Sequence, residues 1–257
     1  MEDRKLPQII TVTNQKGGVG KTTTCSALVS GLHLNGHKVL GIDLDPQGNL
    51  GFSLGIDIET GQTIYDLLKG EALASDVIRQ TAYGDVLPSN ILLSSAELEF
   101  NRAGREFILL NALESVKNNY DYIVIDTPPA LNILTVNAYV TSDSLVIPMI
   151  PEVLSLLGIS QLKDTIEVVK KFYNSKLRIL GVLLTKYNRH LNLVKEVEEL
   201  TAAIADQLET TILNAKIRNN VVVAEAPAHG QSVITYAPKS NAAIDYISLI
   251  QEICRNL

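Results

Sequence analysis

Lys16, Lys21 and Thr22 stand in a glycine-rich stretch, NQKGGVGKTTT at positions 14–24, and each residue type there suits the handling of phosphate. Glycines let backbone N–H groups turn inward and approach phosphate oxygens without interference from a Cβ. Gly20, Lys21 and Thr22 fill the last three places of the G-x-x-x-x-G-K-[ST] pattern, but Gln15 occupies the place of the first glycine. Lys21 is expected to meet the β- and γ-phosphates, and the Thr22 hydroxyl to bind Mg²⁺. A helix opening at Lys21 adds the positive end of its dipole. The expected phosphate cradle is therefore Lys16, Gly17, Gly18, Val19, Gly20, Lys21, Thr22 and Thr23. Lys16 is a second cation, placed to stabilise charge on a transferring phosphoryl group as an arginine finger does. It can act within its own chain or reach across a dimer, and spacing alone does not separate the two.

Two further segments supply carboxylates. IVIDTPP at 123–129 is an apolar strand that ends in Asp126, the residue expected to orient Mg²⁺ directly or through a water. Thr127, Pro128 and Pro129 form a stiff turn beside the γ-phosphate. GIDLDPQGN at 41–49 carries Asp43 and Asp45 at alternate positions, on one face if a strand reaches both. Asp45 is expected on the loop instead, directed at the metal and the attacking water; its bland alternative is a solvated Asx-turn before Pro46. The expected catalytic set is Lys16, Lys21 and Asp45, and the expected metal set is Thr22, Asp45 and Asp126. The chain lacks an N-K-x-D guanine-reading motif (TKYN at 185–188 is not one), which favours ATP over GTP.

These groups need a scaffold that brings distant segments together. Apolar, β-rich runs at 9–13, 38–43, 85–87, 122–126, 144–150 and 179–185 alternate with helical patterns at 21–35, 105–118, 156–173, 193–207 and 241–255. Shorter helical pieces are expected at 64–69 and 74–80. The alternation predicts an α/β fold: a doubly wound, mostly parallel sheet with helices on both faces. Unbroken runs such as YIVID and SLVIPMI fit strands covered on both sides. Ligands bind such sheets outside the carboxyl ends of the strands, where the loop, Asp43, Asp45 and Asp126 all fall.

The 257 residues, 46% hydrophobic and 19% charged, suit one large α/β domain, and too few precede the phosphate loop for an added helix-turn-helix unit. The net charge of −6 excludes a general polycation, so any nucleic-acid contact must come from a local patch. Cys25 and Cys254 lie far apart, as in a reduced cytoplasmic protein, and Cys25 reads as a small packing residue. No signal peptide is visible, and no apolar run approaches the roughly 20 residues that span a bilayer.

KGGVGKTTT, DLDPQGN, YDYIVIDTPP, IPEVLSLLGISQL, AEAPAHGQSV and YAPKSNAAIDY, in this order from about residue 8 to 253, resemble the ParA/Soj partition ATPases. These belong to the deviant Walker A class, with MinD, nitrogenase iron protein and metal-carrier ATPases. The loop alone would admit the whole class; DLDPQGN with AEAPAHG narrows it to the partition branch. The resemblance implies a homodimer that sandwiches ATP and Mg²⁺, with Lys16 crossing to the partner's phosphates. It makes Lys21 the ordinary phosphate lysine, Thr22 a Mg²⁺ ligand, Asp45 the water-positioning carboxylate and Asp126 the second-motif aspartate. Glu152 matches a position near the dimer interface, and residues 217–221 match a segment that lies against the adenine. The family often has Pro-Arg-Asn there, whereas this chain reads IRNN with Arg218 at the proline position, which puts adenine contacts from Asn219 or Asn220 in question.

The resemblance further implies non-specific DNA binding by the ATP dimer. A ParB-type centromere-binding partner then stimulates hydrolysis and releases the protein, which moves plasmid or chromosome DNA. The location implied is cytoplasmic, on the nucleoid in the ATP state. Arg189 in NRHLN is the expected DNA contact, with His190 one residue away, joined by Lys186, Lys195 and Arg218. Basic residues gather from Lys163 onward, but carboxylates are interspersed, so the run fits a patch and a solvated face equally. No base-reading element is present, so binding should be to phosphates and salt-dependent. A MinD-like membrane ATPase would need a C-terminal basic amphipathic helix, and the chain ends at CRNL after a helix that reads as part of the fold. An electron-transfer or metal-delivery ATPase would need cysteine ligands, and there is no C-x-x-C. A positioning ATPase with a protein assembly as cargo would share the same core.

Overall fold

In the computed structural model, which describes residues 6–152, 158–187 and 194–257, the strands form one sheet. They are β1 (Gln8–Val12), β2 (Val39–Asp43), β3 (Arg79–Thr81), β4 (Gly84–Leu87), β5 (Tyr122–Asp126), β6 (Ser144–Met149), β7 (Arg178–Tyr187) and β8 (Ile212–Arg218). Among the described residues the order is β3-β4-β2-β5-β1-β6-β7-β8, parallel throughout except for the β3–β4 pair. The doubly wound fold expected from the sequence is the one observed.

Alternation along the strands builds two cores. Ile9, Ile42, Ile123, Ile125, Leu145 and Ile147 face one side, against Tyr139 of helix Ile133–Thr141 and Leu162 and Ile166 of helix Ile159–Phe172. Their neighbours Ile10, Val124 and Val146 face the other side, against Leu28 and Leu32 of α1 (Lys21–Leu34) and Leu249 and Ile253 of helix Asn241–Asn256. Both faces of the central strands are thus dry, and each such aliphatic side chain contributes about 1.5–3 kcal/mol by leaving water. Gly31 lets α1 meet the C-terminal helix closely: a Cβ there would lie 2.1 Å from Ile250 Cδ1.

Three expectations need correction. The single helix expected at 105–118 is broken into a 3₁₀ turn Arg105–Phe107, helix Ile108–Leu113 and a second 3₁₀ turn Lys117–Asn119. The piece expected at 74–80 is helical only over Ala74–Val77, after which Arg79 and Gln80 pair with β4. Helix Ile133–Thr141 and strand β8 had no expected counterpart. The order of strands sets β1 between β5 and β6, so the chain leaves β1 towards one side of the sheet and β5 towards the other. That reversal opens a crevice at the carboxyl edge, where β1, β2, β5, β6, β7 and β8 all end.

Candidate functional site

The phosphate loop is tied to the sheet edge at both ends. Asn14 Nδ2 donates to the Pro148 carbonyl at 2.8 Å, and its Oδ1 accepts from the Lys16 amide at 2.9 Å. Thr185 Oγ1, at the end of β7, donates to the Val19 carbonyl at 2.8 Å. Gly18 and Gly20 hold φ of +71° and +91°, the left-handed conformation that residues with a Cβ rarely adopt. Gly20 caps α1 with no side-chain hydrogen bond, and the first turn carries no acidic residue. Its open N–H groups and the helix dipole favour an anion at that spot. Lys21 is buried and reaches back to donate to the Lys16 carbonyl at 3.2 Å. Burial lowers its pKa, opposed by the charges of Asp126 and Asp45.

The carboxylates divide their work. Asp43 is fully buried and accepts from the Asp45 and Leu50 amides at 3.0 and 2.9 Å, which fixes the turn after β2. Asp45 lines the cleft while its Oδ1 accepts from the Gln47 amide at 3.0 Å. The Asx-turn and the cleft-facing position, weighed as alternatives, coexist in one residue. Asp126 sits beneath the loop, where Oδ2 accepts from Thr22 Oγ1 at 2.6 Å. Its Oδ1 is buried with no hydrogen-bond partner among the described residues. Burial raises the pKa of Asp126 to about 7, against the Thr22 hydrogen bond and the Lys21 charge. A buried, unpaired carboxylate oxygen beside a hydroxyl is a donor set that fits a hard divalent cation such as Mg²⁺.

The cleft over these groups holds about 680 Å³, within the range of small-molecule sites. Its lining runs from residues 17–23 through Asp45, Asn49 and Pro129 to Thr185, Lys186 and residues 217–221, with Tyr246 in the wall. One end is cationic and rich in amides; the other is lined by Ile217, Asn219, Asn220 and Val221.

Gly17, Gly18, Val19, Gly20, Lys21, Thr22, Thr23, Asp45 and Asn219 therefore share one cleft with Asp126 under it. Lys16 is not in the lining: its ammonium pairs with Glu152 Oε2 at 2.9 Å, with side-chain exposures of 35% and 54%. Two of the residues expected to contact DNA, Lys186 and Arg218, line this cleft. Lys186 does so with a left-handed φ of 50°. Arg218 is held by Asp245, Nη2 to Oδ1 at 2.6 Å, so its charge is compensated within the fold. Arg189 and His190 lie outside the described residues, as does the side chain of Lys195. Lys163 is engaged by Glu209 and Glu167, while Lys170, Lys171, Lys176 and Arg178 are exposed. Thr185 and Tyr246 were not anticipated. Thr185 ends an apolar strand run at the carboxyl edge, the same signal that marks Asp126; Tyr246 closes the YAPKSNAAIDY motif, which assigned it no role.

Comparison with known proteins agrees with this geometry. A family profile described as an AAA domain matches residues 7–179. The sporulation initiation inhibitor protein Soj of Bacillus subtilis is 44% identical over 256 residues, 98% of this chain and 100% of that one. The chromosome partitioning protein ParA of Caulobacter vibrioides is 40% identical, covering 96% of this chain and 93% of its own. A structure of cobyrinic acid a,c-diamide synthase from Mycobacterium smegmatis with bound ADP and magnesium superposes with a TM-score of 0.85 at 32% identity, over 97% of this chain and 95% of that one.

Proposed function

This chain belongs to the Soj/ParA family of P-loop partition ATPases, and we propose that it is an ATP-timed DNA-binding dimer. ATP and Mg²⁺ occupy the cleft, two chains close on the nucleotide, and the closed form holds DNA through phosphates without reading sequence. Partner-stimulated hydrolysis, by a ParB-type protein, opens the dimer and releases DNA, so that plasmid or chromosome cargo is moved.

The residues have defined roles in this scheme. The Lys21 ammonium exchanges the Lys16 carbonyl for the β- and γ-phosphate oxygens, and the open N–H groups of α1 take the rest of the anion. Thr22 and Asp126, with Asp45 nearby, would hold Mg²⁺, which neutralises charge on the phosphate oxygens when bound. Asp45 positions the water that attacks the γ-phosphorus as the bond to the bridging oxygen breaks. The observation that carries the dimer is Lys16: it is not in the lining of its own cleft, and its ammonium pairs with an exposed glutamate that it can trade for a partner's phosphates. Exposed Lys170, Lys171, Lys176 and Arg178 support a local cationic surface.

The test is co-sedimentation of Asp45→Ala protein with DNA, under ATP, ADP or no nucleotide, across a salt series. Binding with ATP alone, weakening steeply with salt, is the expected result. A stable ATP dimer that leaves DNA in the supernatant would discard DNA as the surface and direct the search to liposomes and protein scaffolds. No helix among the described residues is long and apolar enough to cross a membrane.

A further inference from the structure

The far end of the cleft is built by β8, and β8 is held by two carboxylates of the C-terminal helix. Glu252, nearly buried, accepts from the Asn214 and Ala215 amides at 2.8 and 2.9 Å. Seven residues and so about two turns earlier, on the same face, Asp245 grips Arg218 four times. Arg218 Nε donates to Oδ2 at 2.9 Å and to Oδ1 at 3.2 Å, Nη2 donates to Oδ1 at 2.6 Å, and the Arg218 amide donates to Oδ2 at 3.0 Å. The Asp245 side chain is only 12% exposed, so the fork is largely shielded from water. Two-point forks of this kind fix orientation as well as distance.

What the fork orients is the cleft wall. Asn219 and Asn220 follow Arg218 directly, and both line the cleft with Ile217 and Val221. Tyr246 follows Asp245 and forms part of the same wall. The Asn219 amide donates to the Tyr187 carbonyl at 3.3 Å, and Asn220 and Val221 accept from the turn that follows them, the Val223 and Ala224 amides at 3.2 and 2.9 Å. Asn220 Oδ1 already accepts from the Val222 amide at 3.2 Å, which leaves its NH₂; with the Asn219 side chain and the apolar neighbours this suits a flat heteroaromatic base with polar edges. A proline at position 218 would restrict φ by itself; Arg218 leaves the backbone free, and Asp245 restrains it instead.

We propose that Asp245 is a positioning residue that acts through Arg218 to set the base-binding end of the cleft, and with it the affinity for the base of the nucleotide. The assignment rests on the nucleotide reading of the cleft. Inorganic tripolyphosphate presents the phosphates without a base and separates the two ends. Calorimetric titration of the wild type, Asp245→Ala and Arg218→Lys with ATP and with tripolyphosphate tests it. Asp245→Ala should weaken ATP about tenfold and leave tripolyphosphate unchanged, with Arg218→Lys (charge kept, fork lost) in between. In turnover the KM for ATP should rise while kcat holds. Equal loss for both ligands, or no loss for ATP, would overturn the positioning role. Where Asp245→Ala does not fold, Arg218→Lys and Asp245→Asn carry the same comparison. A wild type that binds neither ligand would instead sink the nucleotide reading itself.

Discussion

A carboxylate sealed from water ionises at a cost, and Asp126 bears that cost whenever the cation it suits is absent. Its pKa in the fold is raised by burial to about 7, while in the unfolded chain it titrates near pH 4. Between those values the folded chain binds more protons than the unfolded one, so stability must fall as pH rises through that window. Asp43 adds to the effect: burial and the Asp126 charge push its pKa up as well. Asp126→Asn removes the titration and relieves Asp43. Nucleotide-free and Mg²⁺-free melts of wild type and Asp126→Asn should therefore diverge from about pH 4 to 7, the variant gaining relative stability as pH rises. Parallel curves would mean that the carboxylate is not desolvated as the fold implies.

Helix Ile133–Thr141 shows how an element is decided by a single residue that pattern reading passes over. NILTVNAYVT is apolar and β-branched, with no polar face to mark a helix, and its sequence alone suits a strand equally. Asn132 settles the matter by accepting from the Leu134 and Thr135 amides, which starts the helix. Asn132→Ala should lower stability by about 1 kcal/mol in urea unfolding and leave ATP affinity as it was. A loss of affinity would show that this helix supports the cleft directly. The phosphate loop, Asp45 and Asp126 were legible because each sits in a contiguous motif at a strand end. Strand β8 carried an alternating signal, with Leu213, Ala215 and Ile217 buried between more exposed neighbours, but Asn214, Ala215 and Lys216 are poor strand formers and masked it. Asp245, Tyr246 and Thr185 became part of the site only because the topology sets β7, β8 and the C-terminal helix beside α1. No spacing along the chain encodes that adjacency.

At the scale of the whole molecule, the question is which phosphates Lys16 serves. Its partner Glu152 lies just after β6, and the pair is partly open to solvent, Lys16 half-buried and Glu152 exposed. Such pairs hold by about 0–1 kcal/mol and weaken with salt. A triphosphate is a far stronger partner, and the shared cationic end of the cleft already contains Lys21 on its own helix terminus. Lys16 therefore loses little by leaving Glu152, and in the proposed dimer it would gain most from phosphates that its own Lys21 does not already neutralise, those of a second chain. On the proposed dimer reading, nucleotide binding and dimerisation are one event. Lys21→Ala should abolish ATP binding, whereas Lys16→Ala should bind ATP with near wild-type affinity and remain monomeric by light scattering. In the Asp45→Ala background, where hydrolysis should no longer clear the dimer, adding Lys16→Ala should return the mass to that of one chain. A Lys16→Ala protein that still doubles its mass with ATP would place the second cation in its own cleft, and the closure of the dimer would then need another source of energy.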